Sequence, residues 1–240
     1  MTRPLRALVV LSGAGLSADS GLPTFRGAGG LWEGRRVEDV ATPQAWTRDP
    51  AAVWRFYQLR RAALVAARPN AAHLALARLQ RELRARGVPL LLATQNVDDL
   101  LEQAGADALH VHGSLAHLRC ERCGRVVHDL EHLDPAAFVT CGACGYARLR
   151  PDVVWFGEMP RGLDGVECAI EAATCFVAIG TSGQVWPVAG LLELARRRGA
   201  TTIVQALEAP ENLAPGDEFR AGRAVEVVPG IVDELLAMTP

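Results

Sequence analysis

Apolar runs and helical patterns take turns along most of this chain, and that alternation constrains its fold more than any single motif. The runs "LRALVVL" (5–11), "VPLLLAT" (88–94), "ALHVHG" (108–113), "TCFVAIG" (174–180), "ATTIVQAL" (200–207) and "RAVEVV" (223–228) read as strands. Several are continuous and β-branched, as strands buried on both faces are. Between them lie helical patterns. Pro50–Ala67 starts through Asp49 as N-cap with Pro50 at the first helical position, and Ala71–Arg86 is closed by Gly87. Val97–Ala104 closed by Gly105 and Pro187–Arg198 closed by Gly199 complete the set. Strand and helix in alternation predict an α/β fold with a doubly wound parallel sheet. From Leu118 to Leu149 the pattern gives way to Cys, Gly and Arg, which reads as an insert.

With 240 residues, half of them apolar, the chain can bury a substantial core, and a formal charge of −2 excludes a nucleic-acid-binding polycation or an acidic tail. No apolar run approaches the roughly 18 residues of a membrane span. Arg3 and Arg6 precede "ALVVL", and "LSA" resembles a signal-peptidase site. The apolar stretch nevertheless stops at Ser12-Gly13, shorter than the roughly 7–15 residues of a signal core. A buried first strand and a cytoplasmic protein are the expectation.

Four of the six cysteines fall as Cys120-x-x-Cys123 and Cys141-x-x-Cys144. Two knuckles at that separation present four thiolates tetrahedrally to Zn²⁺, with Zn–S of about 2.3 Å. Disulfides fit a chain of this size poorly, because it does not need staples. Four thiolates leave the metal no open position, so one structural zinc is expected, without chemistry of its own. His128 and His132 are not needed as ligands, and Cys168 and Cys175 read as ordinary buried thiols.

Gly13-Ala14-Gly15-Leu16-Ser17-Ala18 follows the first strand and matches G-x-G-x-x-[GA], the turn that lets a backbone approach a pyrophosphate. Two features depart from a hydride-transfer enzyme. Gly21 and Pro23 cut the following helix to about a turn. The acidic residue expected roughly 20 positions on should cap a second strand, yet Glu33, Glu38 and Asp39 sit in no strand-like context.

"GAGLSADSGLPTFRG", "TQNVDDL", "HVHG", the two CxxC pairs, "VVWFGE" and "GTSGQVWP" occur in the order and spacing of the sirtuins, and the sequence resembles that family from about Leu5 to Val228. The resemblance implies a Rossmann-like large domain (1–34, 88–117 and 148–240), a helical module with a connecting helix (35–87) and a zinc ribbon (118–147). It also implies NAD as a consumed co-substrate and acylated-lysine proteins or peptides as partners, giving nicotinamide and O-acyl-ADP-ribose. Gly13, Ala14 and Gly15 would lie against the pyrophosphate, Phe25 and Arg26 in a cofactor loop, and Gly180, Thr181 and Ser182 on the adenosine side. Gln95, Asn96 and Asp98 would face nicotinamide. His112 matches the catalytic histidine, which takes a proton from a ribose hydroxyl; His110 reads as structural. Val154, Phe156, Gly157 and Glu158 belong to a segment that pairs with substrate backbone. Where sirtuins usually carry an Asn before "LE" this chain has Ala206, leaving the adenine ribose to Gln205, Glu208 or backbone groups.

Tyr57 and Arg60 lie three apart on one helix and project from one face. They resemble the Tyr-x-x-Arg signature of sirtuins that remove succinyl, malonyl or glutaryl groups, in which an Arg fork and a Tyr hydroxyl meet a carboxylate. The plainer reading is one exposed arginine among Arg55, Arg60 and Arg61. All 25 basic residues are arginine, so no lysine of the chain itself can be acylated. Rival readings are mono-ADP-ribosyl transfer, a non-catalytic NAD or zinc module and, last, a dehydrogenase.

Overall fold

The computed structural model describes residues 4–23, 31–32 and 35–239. Phe25 and Arg26 therefore lie outside the described residues. The first apolar run forms β1 (Leu8–Ser12), buried throughout. The chain leaves it through two 3-10 turns, Ala14–Leu16 and Ala18–Ser20. Gly21, at φ +83°, ends the second, so only short turns follow the strand. After the small antiparallel pair β2 (Leu31–Trp32) and β3 (Arg35–Arg36) come α1 (Val37–Val40), α2 (Pro43–Arg48), α3 (Pro50–Ala66) and α4 (Ala71–Ala85). Each of the last three starts on a side-chain cap. Thr42 accepts from the Ala45 N–H and Asp49 from Ala52, each with a proline at the next position, and Asn70 accepts from Ala72.

The chain continues through β4 (Leu90–Thr94), α5 (Leu100–Gln103), β5 (Leu109–His110), β6 (Gly113–Cys120), β7 (Val126–His128) and β8 (Leu149–Val153). It ends with α6 (Leu163–Ala172), β9 (Cys175–Ile179), α7 (Gly190–Arg197), β10 (Thr201–Ala206), β11 (Glu218–Ala221) and α8 (Ala224–Ala237). The large sheet has the order β11-β10-β9-β1-β4-β5, every pair parallel. Counted along the chain from the β5 end, its strands run third, second, first, fourth, fifth, sixth, the Rossmann order, and the reversal falls between β1 and β9. Helices α4 and α8 cover one face around Leu8, Val10, Leu79 and Val228. Helices α6 and α7 cover the other around Val9, Phe176, Ile170 and Leu192. A separate core joins α1–α3 to the antiparallel sheet β7-β6-β8 around Trp46, Trp54, Tyr57 and Trp155.

That second core is fastened by polar side chains of α3. Trp54 Nε1 donates to the carbonyls of Asp134 and Ala137, at 3.2 and 3.0 Å. Gln58 Nε2 donates to the His132 carbonyl at 2.8 Å. Arg61, whose side chain is wholly buried, donates to the Leu115 carbonyl at 3.2 Å and pairs with Asp129 Oδ1 at 3.0 Å. A buried guanidinium is tolerated because its donors find acceptors.

Some expectations need correction. Residues 223–228 are not a strand: α8 begins at Ala224. Their β-branched residues suggest β, but the burial of Ala224, Val228, Ile231, Val232 and Leu235 has helical spacing against α4. The helix expected over 97–104 shrinks to Leu100–Gln103, because the residues before it are occupied at the strand end. The one expected from Pro187 starts at Gly190. Cys168 is exposed, whereas Cys175 is buried as anticipated.

Candidate active site

The loops that carry the glycine and "GTS" motifs leave β1 and β9 at the sheet's reversal, where ligands bind in such folds. There the two turns interlock through main chain. Gly13 N–H donates to the Ile179 carbonyl at 2.8 Å and Gly15 N–H to the Gly180 carbonyl at 2.9 Å. A Cβ on Gly15 would meet Gly180 Cα at 2.7 Å, and one on Gly180, at φ +61°, would meet Leu16 N at 2.6 Å. Only glycine permits this approach, and it leaves a cradle lined by peptide groups, which suits a pyrophosphate. Thr181 Oγ1 accepts from Gln95 Nε2 at 3.1 Å, tying the β9 turn to the end of β4.

The β4 end organises the reacting side of the site. Gln95 N–H donates to the Ser12 carbonyl and Asn96 N–H to Thr94 Oγ1. The Gln95 carbonyl lies 3.1 Å from His112 Nδ1. A carbonyl can only accept, so Nδ1 carries the proton and Nε2 keeps its lone pair for the site. Burial lowers the pKa of His112, partly countered by that carbonyl, so the imidazole is a neutral base at pH 7. His110, by contrast, is held between the Asn96 carbonyl and Glu102, both at 3.0 Å. Burial works against its charge, but Glu102 raises its pKa overall. Both of its ring nitrogens are thus engaged by the protein itself.

Asp98 is buried, and burial raises its pKa against the pull of the Ser17 hydroxyl and the Leu100 N–H. Behind it stands a relay that the motifs did not reveal. Asn70 N–H points at His73 Nδ1 at 3.2 Å, and His73 Nε2 lies 3.2 Å from Ser17 Oγ. With Nδ1 accepting, Nε2 carries the hydrogen and donates to Ser17. Asn96 Nδ2 also donates to Ser17 Oγ, at 3.0 Å. Holding two donors, the hydroxyl is left to give its own hydrogen to Asp98. Burial pushes the His73 pKa down to about 4, which keeps the ring neutral. The readable signal was Asn70-x-x-His73 at a helix start, a capping box with histidine in the glutamate position.

The sulfurs of Cys120, Cys123, Cys141 and Cys144 lie within 4.8 Å of one another. The Cys120–Cys144 and Cys123–Cys141 separations of 3.6 and 3.7 Å are near the edge of a tetrahedron with Zn–S of about 2.3 Å. Each knuckle closes alike: Gly124 N–H donates to the Cys120 carbonyl and Gly145 N–H to Cys141, both glycines at positive φ. Backbone N–H groups of Ala143 and Cys144 hold the Cys141 thiol below its ordinary pKa.

On α3 both signature residues face inward. Tyr57 is buried, its hydroxyl accepting from Trp155 Nε1 at 2.9 Å. Arg60, 7% exposed, donates to the Phe56 carbonyl at 2.6 Å and stacks on the Phe56 ring. The view of it as one more exposed arginine does not hold: Arg60 and Arg61 are buried, and Arg55 alone of the three is exposed. Arg60, Arg55, Arg35, Phe56 and Leu59 line a cavity of about 220 Å³. In the segment Val154–Glu158, Val154 N–H is held by the His112 carbonyl at 2.8 Å and Phe156 N–H by Ala41 at 2.9 Å. The Glu158 carboxylate is taken up by Arg150 and the Trp155 N–H, fixing the turn at Gly157, φ +91°.

A model of the Sir2 family matches residues 13–187. The chain belongs to the Sir2 family. It is 48% identical to an NAD-dependent protein deacylase of Caulobacter vibrioides, over 98% of this chain and 99% of that one. It is also 48% identical to one of Escherichia coli, over 95% and 82%. A solved complex of a Sir2 homologue with NAD superposes with a TM-score of 0.86 at 40% identity, covering 98% of this chain and 91% of the other. The protein is thus a sirtuin, an NAD-dependent protein deacylase with a Rossmann-like sheet and a four-cysteine site positioned for one structural zinc. Among the described residues no helix is long and apolar enough to cross a membrane. Gln205, one of the groups to which Ala206 leaves the ribose contact, keeps its Oε1 without a hydrogen-bond partner among the described residues. That side chain is buried and donates to the Gly222 carbonyl at 2.7 Å, fastening β10 to the turn before α8.

Proposed function

We propose that this sirtuin removes acidic acyl groups, succinyl and malonyl, from protein lysines, and acetyl groups as well, releasing nicotinamide and O-acyl-ADP-ribose. The observation that carries the acidic preference is the burial of Arg60 beside Tyr57 on α3, at the wall of a cavity with two further arginines. A guanidinium fork in a partly desolvated wall pairs bidentately with a carboxylate. The Tyr57 hydroxyl does not line this cavity and would have to leave Trp155 to join such a pair.

The bound dinucleotide supplies the glycosidic bond that is broken and the ribose that receives the acyl group. Gly13, Ala14, Gly15, Gly180, Thr181 and Ser182 would hold it through backbone and hydroxyl groups. Asp98, with Gln95 and Asn96, would accept from and orient the carboxamide, with Ser17 and His73 keeping the carboxylate aimed. His112 Nε2 takes the proton of a ribose hydroxyl, a step that suits an imidazole neutral at working pH. The segment from Val154 to Glu158 would receive the substrate backbone as an added strand. Because the N–H groups of Val154 and Phe156 are already engaged, that pairing falls to the carbonyls and to Gly157. Cellular location in the cytoplasm is part of the same reading.

The test is turnover of matched acetyl- and succinyl-lysine peptides with NAD, quantifying nicotinamide and weighing the product. Arg60→Met is expected to lower desuccinylation about ten- to a hundredfold while leaving deacetylation within about threefold. Equal losses in both would overturn the acyl assignment, and ADP-ribosylated protein in place of O-acyl-ADP-ribose would favour the transferase reading.

A further inference from the structure

A second cavity, of about 360 Å³, opens beside the substrate segment and is lined by Arg119, Arg150, Val154, Glu158, Met159 and Arg161. Its charges do not balance. Arg150 and Glu158 neutralise each other through two bonds of 2.8 and 2.9 Å. Arg161 embraces Asp152 with both terminal nitrogens, at 2.8 and 2.6 Å. Arg119 touches the same carboxylate only through Nε, at 2.6 Å. Asp152, although buried, keeps a lowered pKa because Arg161 and Arg119 flank it, so it stays ionised and holds both arginines in place. Three guanidiniums thus face two carboxylates. Both terminal nitrogens of Arg119 are without a partner among the described residues, on a side chain 41% exposed at the cavity wall.

We propose that this cavity seats an acidic side chain of the substrate protein, close in sequence to the acyl-lysine, with Arg119 as its specificity-determining residue. The inference rests on reading Val154–Glu158 as the docking segment. A strand laid there advances about 3.3 Å per residue. Because Val154 and Glu158 belong to both the segment and the cavity wall, residues close to the acyl-lysine would be the ones to meet the cavity mouth. The available fork matches a carboxylate, while Met159, 76% exposed, and Val154 offer apolar surface to the methylenes of a glutamate. The site so formed would select among acylated lysines by local sequence, independently of which acyl group they carry.

The experiment compares kcat/KM for acyl-lysine peptides that differ only by Glu or Gln at each of the two positions on either side. The wild-type enzyme is expected to favour Glu at one or more positions by about three- to tenfold, expressed in KM and shrinking in high salt. In Arg119→Gln the Glu/Gln ratio falls to about one, and in Arg119→Lys it keeps part of its value, since charge survives but the fork does not. Each ratio compares two peptides on one preparation, so a partly unfolded variant does not disturb it. Equal turnover of Glu and Gln peptides by the wild type at every position, or an undiminished preference in Arg119→Gln, overturns the proposal. Absence of nicotinamide release from every peptide would overturn the deacylase reading along with it.

Discussion

At the ends of β1, β4 and β9 the contacts that shape the site are made mostly by backbone and by short side chains: the Gly13–Gly15 and Gly180 turns, Ser17, Asn96 and Asp98. On α3, β6 and β8 they are made by arginines, namely Arg60, Arg61, Arg119 and Arg150. The difference teaches a division of labour. Main chain fixed by a parallel sheet offers one rigid geometry, whereas long side chains on α3 and the antiparallel sheet can be exchanged. On the reading proposed above, the first would position the bond to be broken and the second would choose among acyl groups and sequences.

The harshest way to break that contrast is to remove the staple. Cys141→Ala, or chelation of the metal, is expected to unfold β6–β8 and lower Tm by about 10 °C or more, because binding free energy at such sites is folding free energy. Calorimetry with zinc analysis measures it, and an unchanged Tm in a zinc-free variant would refute a structural metal. On the rigid side, His112→Ala is expected to lower kcat about 10²- to 10⁴-fold with little change in melting. In the wild type the acid limb of kcat/KM belongs below pH 6.5, since burial lowers the His112 pKa and protonation removes the base. A limb centred above 7 would speak against this assignment.

The relay behind Asp98 sharpens the comparison with a smaller effect. His73 titrates at about 4 in the folded chain and near 6.5 when unfolded. Between these values the unfolded chain binds more protons, so stability rises with pH there, is fully present above about 6.5 and loses roughly 3 kcal/mol on acidification toward 4. A His73→Gln variant lacks this slope. Thermal melts of the two proteins from pH 4 to 7 test it, and parallel curves would sink the buried neutral ring. The acyl contrast of Arg60→Met and the peptide ratio at Arg119 follow as the gentlest probes of the arginine side.

What could be read from the sequence was whatever is encoded locally. The cysteine knuckles, the glycine turn, the capped start of α3 and the His112-Gly113 pair all declare themselves within a few residues. The relay did not, because Ser17 and His73 are 56 positions apart and meet only after β1 and α4 pack together. Arg60 and Arg61 show the same limit more closely. They are adjacent and alike in sequence, yet one helical step turns the first toward Phe56 and the second into the loop that follows β7. Residues 223–228 misled because β-branched composition spoke for a strand, while the surface of α4 decided for a helix.

The interlocked glycine seam has one more implication. A side chain added at Gly15 or Gly180 would run into the facing main chain, so the seam itself cannot be retuned by substitution without first prying two strands apart. Discrimination between related dinucleotides is accordingly expected farther out, from side chains such as those at the end of β10, where Ala206 stands.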